Sequence, residues 1–182
     1  MKIWQLGIIV LLIIIASFNP KIQLKKLFKS QFQVYKNDKN GKIFLFDIVT
    51  FFIIPIFIGI FSGIYLPVTA VSKYSDTVII IFPLIATALL YFVTILANKK
   101  FKKKKENELL KETIVTIMTN IIYLMLIVVL VVLPKMVLFS EIIKKILLGI
   151  IVFLIIKIIF EMFMILKRVY VIINVNIENS NK

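Results

Sequence analysis

The sequence predicts an all-α integral membrane protein, a bundle of about five transmembrane helices with a basic amphipathic helix on its cytoplasmic side. Three observations carry this reading. Hydrophobic residues make up 61% of the 182 residues and charged residues only 18%, against roughly 45–50% and about 25% in an ordinary soluble domain. The mean hydropathy is +1.05. The apolar residues also fall in long runs separated by lysine clusters, and one soluble core of this size cannot hide so many large apolar side chains.

A membrane-crossing helix needs about 20 mostly apolar residues. Five stretches approach that length: 3–18, 43–66, 77–97, 114–133 and 146–166. The first reads as an uncleaved anchor with the amino terminus outside. Only Lys2 precedes its core, and Ala16-Ser17-Phe18 is a poor match to the small-residue pattern of a signal-peptide cleavage site. A four-span chain, with the first stretch removed as a signal peptide, is the competing reading.

Orientation follows from the excess of lysine in cytoplasmic loops. Segment 19–42 carries Lys21, Lys25, Lys26, Lys29, Lys36, Lys39 and Lys42. Segment 98–113 carries Lys99, Lys100, Lys102, Lys103, Lys104, Lys105 and Lys111. The connection 67–76 holds only Lys73 and Asp76, and 134–145 holds Lys135, Lys144 and Lys145 against Glu141. The two lysine-rich loops therefore face the cytoplasm, and Lys167-Arg168 close the fifth span on the same side. The organisation expected is an anchor over 1–18, a cytoplasmic basic segment over 19–42 and a transmembrane hairpin over 43–97. A cytoplasmic lysine-rich linker over 98–113, a second hairpin over 114–168 and a cytoplasmic tail over 169–182 complete it, all in the inner (plasma) membrane of the cell.

Within 19–42, Asn19-Pro20 supplies a helix cap and a first-turn proline. Taken as a helix, the segment gathers Leu24, Leu27, Phe28, Phe32 and Tyr35 on one face and Lys25, Lys26, Lys29 and Lys36 on another. Such a helix lies on the membrane surface with its lysines on anionic headgroups, or packs its apolar face on the chain's own spans. Lys36-Asn37-Asp38-Lys39-Asn40-Gly41 is turn chemistry, which leaves a hairpin of 31–35 against 42–46 as a weaker alternative. The second basic loop is expected to continue the third span into water before turning back.

Several function classes drop out. The chain has no His and no Cys, which removes His/Cys zinc sites, thiolate-held iron–sulfur clusters, His-ligated haem, Cys nucleophiles and Ser-His-Asp triads. No Gly-rich phosphate loop occurs among the five glycines. No catalytic residue, cofactor or metal is therefore expected, and the chain reads as non-enzymatic. The net charge of +14 resolves mostly into lysines beside spans, so the expected partners are the anionic inner leaflet, further copies of the chain and a cytosolic protein, with no nucleic acid.

Ionisable groups inside a span are expensive and are functional candidates. Lys157 lies near the middle of the fifth span, Glu161 is four residues on, and Arg168 continues that face. Thr113, Thr116, Asn120 and Tyr123 form a polar stripe on the fourth span; Thr87, Tyr91 and Thr94 form one on the third; Asp47 sits at the inner end of the second. Together they predict a polar cluster or vestibule in the inner half of the membrane. A neutralised Lys157–Glu161 pair that only glues helices is the plainer alternative. Gly59 and Gly63 form a GxxxG pattern for close helix contact, within one chain or between two. Pro55 and Pro83 fall inside spans, where they can kink a helix.

These features predict an oligomeric, non-enzymatic membrane protein that forms or gates a leak: a channel, a holin-like protein or an effector of the anti-phage defence type. The build is similar, in architecture alone, to phage holins and to compact membrane effectors of bacterial anti-phage systems. Small multidrug transporters also have four spans, but they are shorter and carry a Glu in the first, which this chain lacks. The alternative is an anchor, accessory or immunity subunit that docks a cytosolic partner on its lysine-rich loops. A small transporter is disfavoured because 182 residues leave little room for two repeats.

Overall fold

The computed structural model describes residues 24–35, 45–98, 104–137 and 139–180, all helical or in short connections. Five helices result. α1 runs Leu24–Val34; α2 runs Leu45–Tyr65, with a π-helical turn over Val49–Ile53; α3 runs Thr69–Ala97; α4 runs Lys104–Met136; and α5 runs Glu141–Ser180. Four of them, α2 to α5, are long and apolar enough to cross a membrane. The expected stretch 3–18 and the turn 36–41 lie outside the described residues.

Packing order differs from chain order. α2 packs on α5, α5 on α4, and α4 on α3, while α1 lies against α4. α4 is thus the centre of the described structure, and its sequence explains why. Leu110, Thr113, Ile117, Asn120, Leu124, Ile127 and Val131 are all buried, at alternating spacings of three and four. That spacing keeps one stripe of a helix facing a neighbour along its whole length. On α5, Ile151, Leu154, Ile158, Glu161 and Ile165 are buried at the same alternation, and Ile172 follows seven residues on. The core is this double seam plus Ala86, Leu89 and Leu96 of α3.

The α2–α5 contact rests on absent side chains. A Cβ placed on Gly59 would sit 2.7 Å from the Gly149 carbonyl oxygen and 2.9 Å from Phe153 Cβ. One on Gly149 would meet the Gly59 carbonyl at 2.9 Å, and one on Gly63 would meet the Lys145 carbonyl at 2.9 Å. Gly59 and Gly63 therefore make a contact within the chain, and Gly149 on α5 is the third member that the GxxxG pattern alone does not reveal. Pro55 is accommodated by the π-turn before it: Ile54 N–H reaches back to the Val49 carbonyl, and the proline without an N–H follows at the start of the α-helical part. Pro83 is carried inside α3 without ending it.

Two expectations change and two are refined. Helix α3 ends at Ala97, so the basic extension belongs to α4, which begins at Lys104; Glu106 in its first turn suits the positive helix end. Lys104 and Glu108 pair at 3.9 Å one turn apart. Within the expected linker 98–113, the described residues from Lys104 onward are helical. The tail after 168 continues α5 to Ser180. The hairpin alternative fails because Gln31–Val34 is α-helical. And α1 does not stand apart from the bundle: Gln31 and Tyr35 are buried against it while Lys25, Lys26 and Lys29 are exposed.

Replacing Gly149 by Val drives a branched side chain into the α2 backbone, which cannot rotate away, and overpacking of this kind costs about 1–3 kcal/mol. Thermal unfolding in detergent is expected to shift down for Gly149→Val and stay unchanged for Ile60→Val on the exposed face of α2. Equal melting of Gly149→Val and the parent chain would show that the seam is not close-packed.

Candidate functional site

The polar cluster gathers around Lys157, near the middle of α5. Its ammonium lies 2.6 Å from Glu161 Oε1, one turn along the same helix. Both side chains are sealed, at 3% and 0% relative exposure. A buried ion pair one turn apart neutralises itself, but each partner still needs its remaining hydrogen-bonding capacity filled.

The filling comes from α1. Tyr35, at its carboxyl end, donates its hydroxyl to Glu161 Oε1 at 2.5 Å. The phenol oxygen in turn accepts from Lys157 Nζ at 3.3 Å and from Gln31 Nε2 at 3.0 Å. A phenol has one proton and two lone pairs, so the Tyr35 hydroxyl is saturated. Gln31 and Tyr35 are one turn apart on α1, which is why both reach the same point.

The ammonium is further enclosed by aromatic rings. Lys157 Nζ lies 4.3 Å from the Phe52 ring centroid, 5.5 Å from that of Tyr35 and 5.6 Å from that of Tyr123. Cation–π contacts of this kind contribute about 2 kcal/mol when desolvated. Phe51 and Phe52 sit in the π-turn of α2 and both pack on Tyr35, at 5.4 and 5.5 Å. Phe28 and Phe32 extend the cluster to Tyr123 and Phe52, each at 6.1 Å. Four helices, α1, α2, α4 and α5, thus meet at one ammonium group.

Not all of the polarity is satisfied. Glu161 Oε2, Gln31 Oε1 and both side-chain atoms of Asn120 are buried with no hydrogen-bond partner among the described residues. Each buried orphan of this kind costs about 1–3 kcal/mol. Beyond the cluster, toward the end of α5, the chemistry is ordinary again: Arg168 of α5 pairs with Glu112 of α4 at 3.1 Å.

Of the residues singled out from sequence, Lys157, Glu161, Asn120, Thr116 and Tyr123 lie on the buried seam or against it. Thr116 contributes no free hydroxyl, because it bonds back to the Glu112 carbonyl, as Thr113 and Thr119 do to Leu109 and Val115. Tyr91 does not belong: it is 71% exposed. Thr87 and Thr94 point the same way, their hydroxyls satisfied by carbonyls of their own helix. The face of α3 that enters the core is Ala86, Leu89 and Leu96. Asp47 is half-buried and makes no hydrogen bond or ion pair with the cluster among the described residues. Lys104 and Lys105 are exposed on α4, whereas Lys99, Lys100, Lys102 and Lys103 lie outside the described residues.

No protein-family model, curated protein or solved structure matches this chain. Its chemistry has to be read from the site itself. Among the described residues no group of three or more acidic side chains is placed to hold a metal ion. The site offers a neutralised charge pair, a saturated phenol and an unsatisfied amide, which is equipment for holding helices together or for meeting water and ions. Sequence reading missed Tyr35, Gln31 and Phe52 as members. The signal that finds the first two is a Gln and a Tyr one turn apart on the otherwise apolar face of a basic helix.

Removing one partner of a buried pair strands the other charge, at about 3–5 kcal/mol, whereas replacing both by apolar residues is often neutral. Glu161→Leu is therefore expected to lower stability in detergent strongly. The double variant Lys157→Leu/Glu161→Leu is expected to recover most of the loss. A double variant as unstable as the single one would refute the pairing.

Proposed function

We propose that this chain is a non-enzymatic, multi-pass protein of the plasma membrane that assembles with copies of itself and gates a leak, with Tyr35, Lys157 and Glu161 as the latch of its closed state. The observation that carries the reading is the set of unsatisfied buried groups beside the latch, above all Asn120, with neither side-chain atom partnered among the described residues. A buried polar group without a partner calls for an explanation, and an ionisable one at the middle of a span is functional by default. Water entering between α1, α4 and α5 supplies the missing partners of Asn120 and Glu161 Oε2, so release of the latch and wetting of the seam favour one another.

In this reading the lysine-rich end of the bundle faces the cytoplasm, as the lysine excess there requires. Arg168–Glu112 then stands near the inner membrane boundary and Lys157 near the midplane.

A second reading has one observation in its favour. Helix α4 begins at Lys104, well before its apolar stretch 114–133, and α5 runs to Ser180, with Leu110 and Ile172 buried between the projecting parts. This projection, bearing exposed Lys104 and Lys105, supports docking of an acidic cytosolic protein. Such a partner is expected to co-purify with the parent chain and to be lost when the lysines of 99–105 are replaced by Gln.

The leak reading predicts that strong expression depolarises cells, followed with a potential-sensitive dye. Tyr35→Phe removes the hydrogen bond from α1 to Glu161 and is expected to increase the leak at equal protein level. Unaltered membrane potential on strong expression of both proteins would count against the proposal.

A further inference from the structure

The glycine contact between α2 and α5 forms the floor of an open groove of about 540 Å³. Isoleucines of both helices make its walls, among them Ile60 and Ile64 on α2 and Ile142 and Ile146 on α5. Phe153 closes one end, and Lys145 is the single charged residue of the lining. Because the floor is glycine, no side chain rises from it to fill the space between the walls.

The groove occupies one half of the length of both helices. On α5 it runs from Ile142 to Phe153, about 16 Å of helix, and the apolar stretch 146–166 has its middle just past Phe153. On α2 it runs from Ile56 to Ile64, the later part of Leu45–Tyr65. The hydrocarbon core of a bilayer is about 30 Å thick, so the groove has the length of one leaflet. Its open end carries the marks of a membrane boundary. Lys145 immediately precedes the apolar stretch of α5, and Gly63 lies opposite it. Tyr65, of the aromatic type enriched at membrane–water interfaces, ends α2 at that level. Lys145 is exposed and makes no ion pair among the described residues, although Glu141 stands one turn before it. Asp76, the other acid at this end, is engaged by Lys135 at 2.6 Å. The charge of Lys145 is thus left for an anion from outside the chain.

We propose that the groove holds one acyl chain of a phospholipid, with the phosphate of that lipid on Lys145. The inference rests on the chain being embedded in a membrane and does not depend on the leak. An acyl chain reaching from the boundary to the midplane has the length and the apolar chemistry of the groove, whereas a spanning helix is about twice as long. A second copy meeting this face about a two-fold axis along the membrane normal brings a second Lys145 to the first. A phosphate brings the opposite charge.

Two measurements on the full chain test this. By native mass spectrometry in mild detergent, the parent chain is expected to retain one dioleoyl phosphatidylglycerol per chain. Dioleoylglycerol, with the same tails and no phosphate, is expected to be retained about fivefold less, the loss of one lysine–headgroup attraction. Lys145→Gln is expected to abolish that difference, and Ile146→Trp, which fills the groove from its exposed wall, to reduce retention of both lipids. A photo-activatable cross-linking residue in place of Ile146, used in native membranes, is expected to yield the chain joined to one phospholipid. Equal retention of the two lipids by the parent chain, or a preference that survives Lys145→Gln, overturns the phosphate contact. Retention unchanged by Ile146→Trp overturns the groove as the site. Cross-linking to another copy of the chain, or to segment 3–18, gives the groove to that occupant and overturns the proposal. Release of the parent chain from native membranes by alkaline carbonate also overturns it, and locates the failure in the membrane reading.

Discussion

Everything in this bundle is arranged around one ammonium group that has no access to water. Lys157 lies among the apolar faces of α2, α4 and α5, where an unpaired charge is not tolerated. Glu161 removes the net charge, Tyr35 and Gln31 fill hydrogen-bonding positions, and aromatic rings of α2 and α4 surround what remains. The apolar contacts of α1 alone tolerate sliding. The charge does not, since a one-turn slip of α1 or α5 removes Tyr35 from Glu161. A costly pair thus specifies register, as isolated polar residues do in coiled coils.

This requirement also explains how α1 is held. The described part of α1 has 11 residues and carries three exposed lysines. Its place beside α4 depends on Phe28 against Tyr123 and on Tyr35 at the ion pair. The same features make α1 the element most readily released. The bundle behind it is held in addition by its glycine seam and its two buried stripes.

Much of this is legible in the sequence, and the remainder is hidden for identifiable reasons. Hydropathy locates α2 to α5 because a run of about 20 apolar residues has few other uses. The i, i+4 spacing of Lys157 and Glu161 marks them as a pair by itself. Tyr35 is hidden because its partner is 126 residues away, and local spacing carries no information about such contacts. Tyr91 is misplaced by its pattern because hydroxyls at helical spacing show that a face exists without showing which way it points. The threonines around Tyr91 bond to their own helix, so they tolerate an apolar exterior. The docking of α1 is one of two readings its amphipathic pattern allows, and the buried Gln31–Tyr35 pair decides it in favour of the bundle.

The central claim is that α1 is held within the bundle against α4, and a cross-link tests it most directly. In a chain free of cysteine, Gln33→Cys and Lys111→Cys border one cavity and can be joined by a short bifunctional thiol reagent in native membranes. The account predicts efficient intramolecular cross-linking, and loss of it when Glu161 and Lys157 are both replaced by Leu. Absence of the cross-link in the parent chain, with each cysteine reactive by itself, would place α1 away from the bundle and contradict the account.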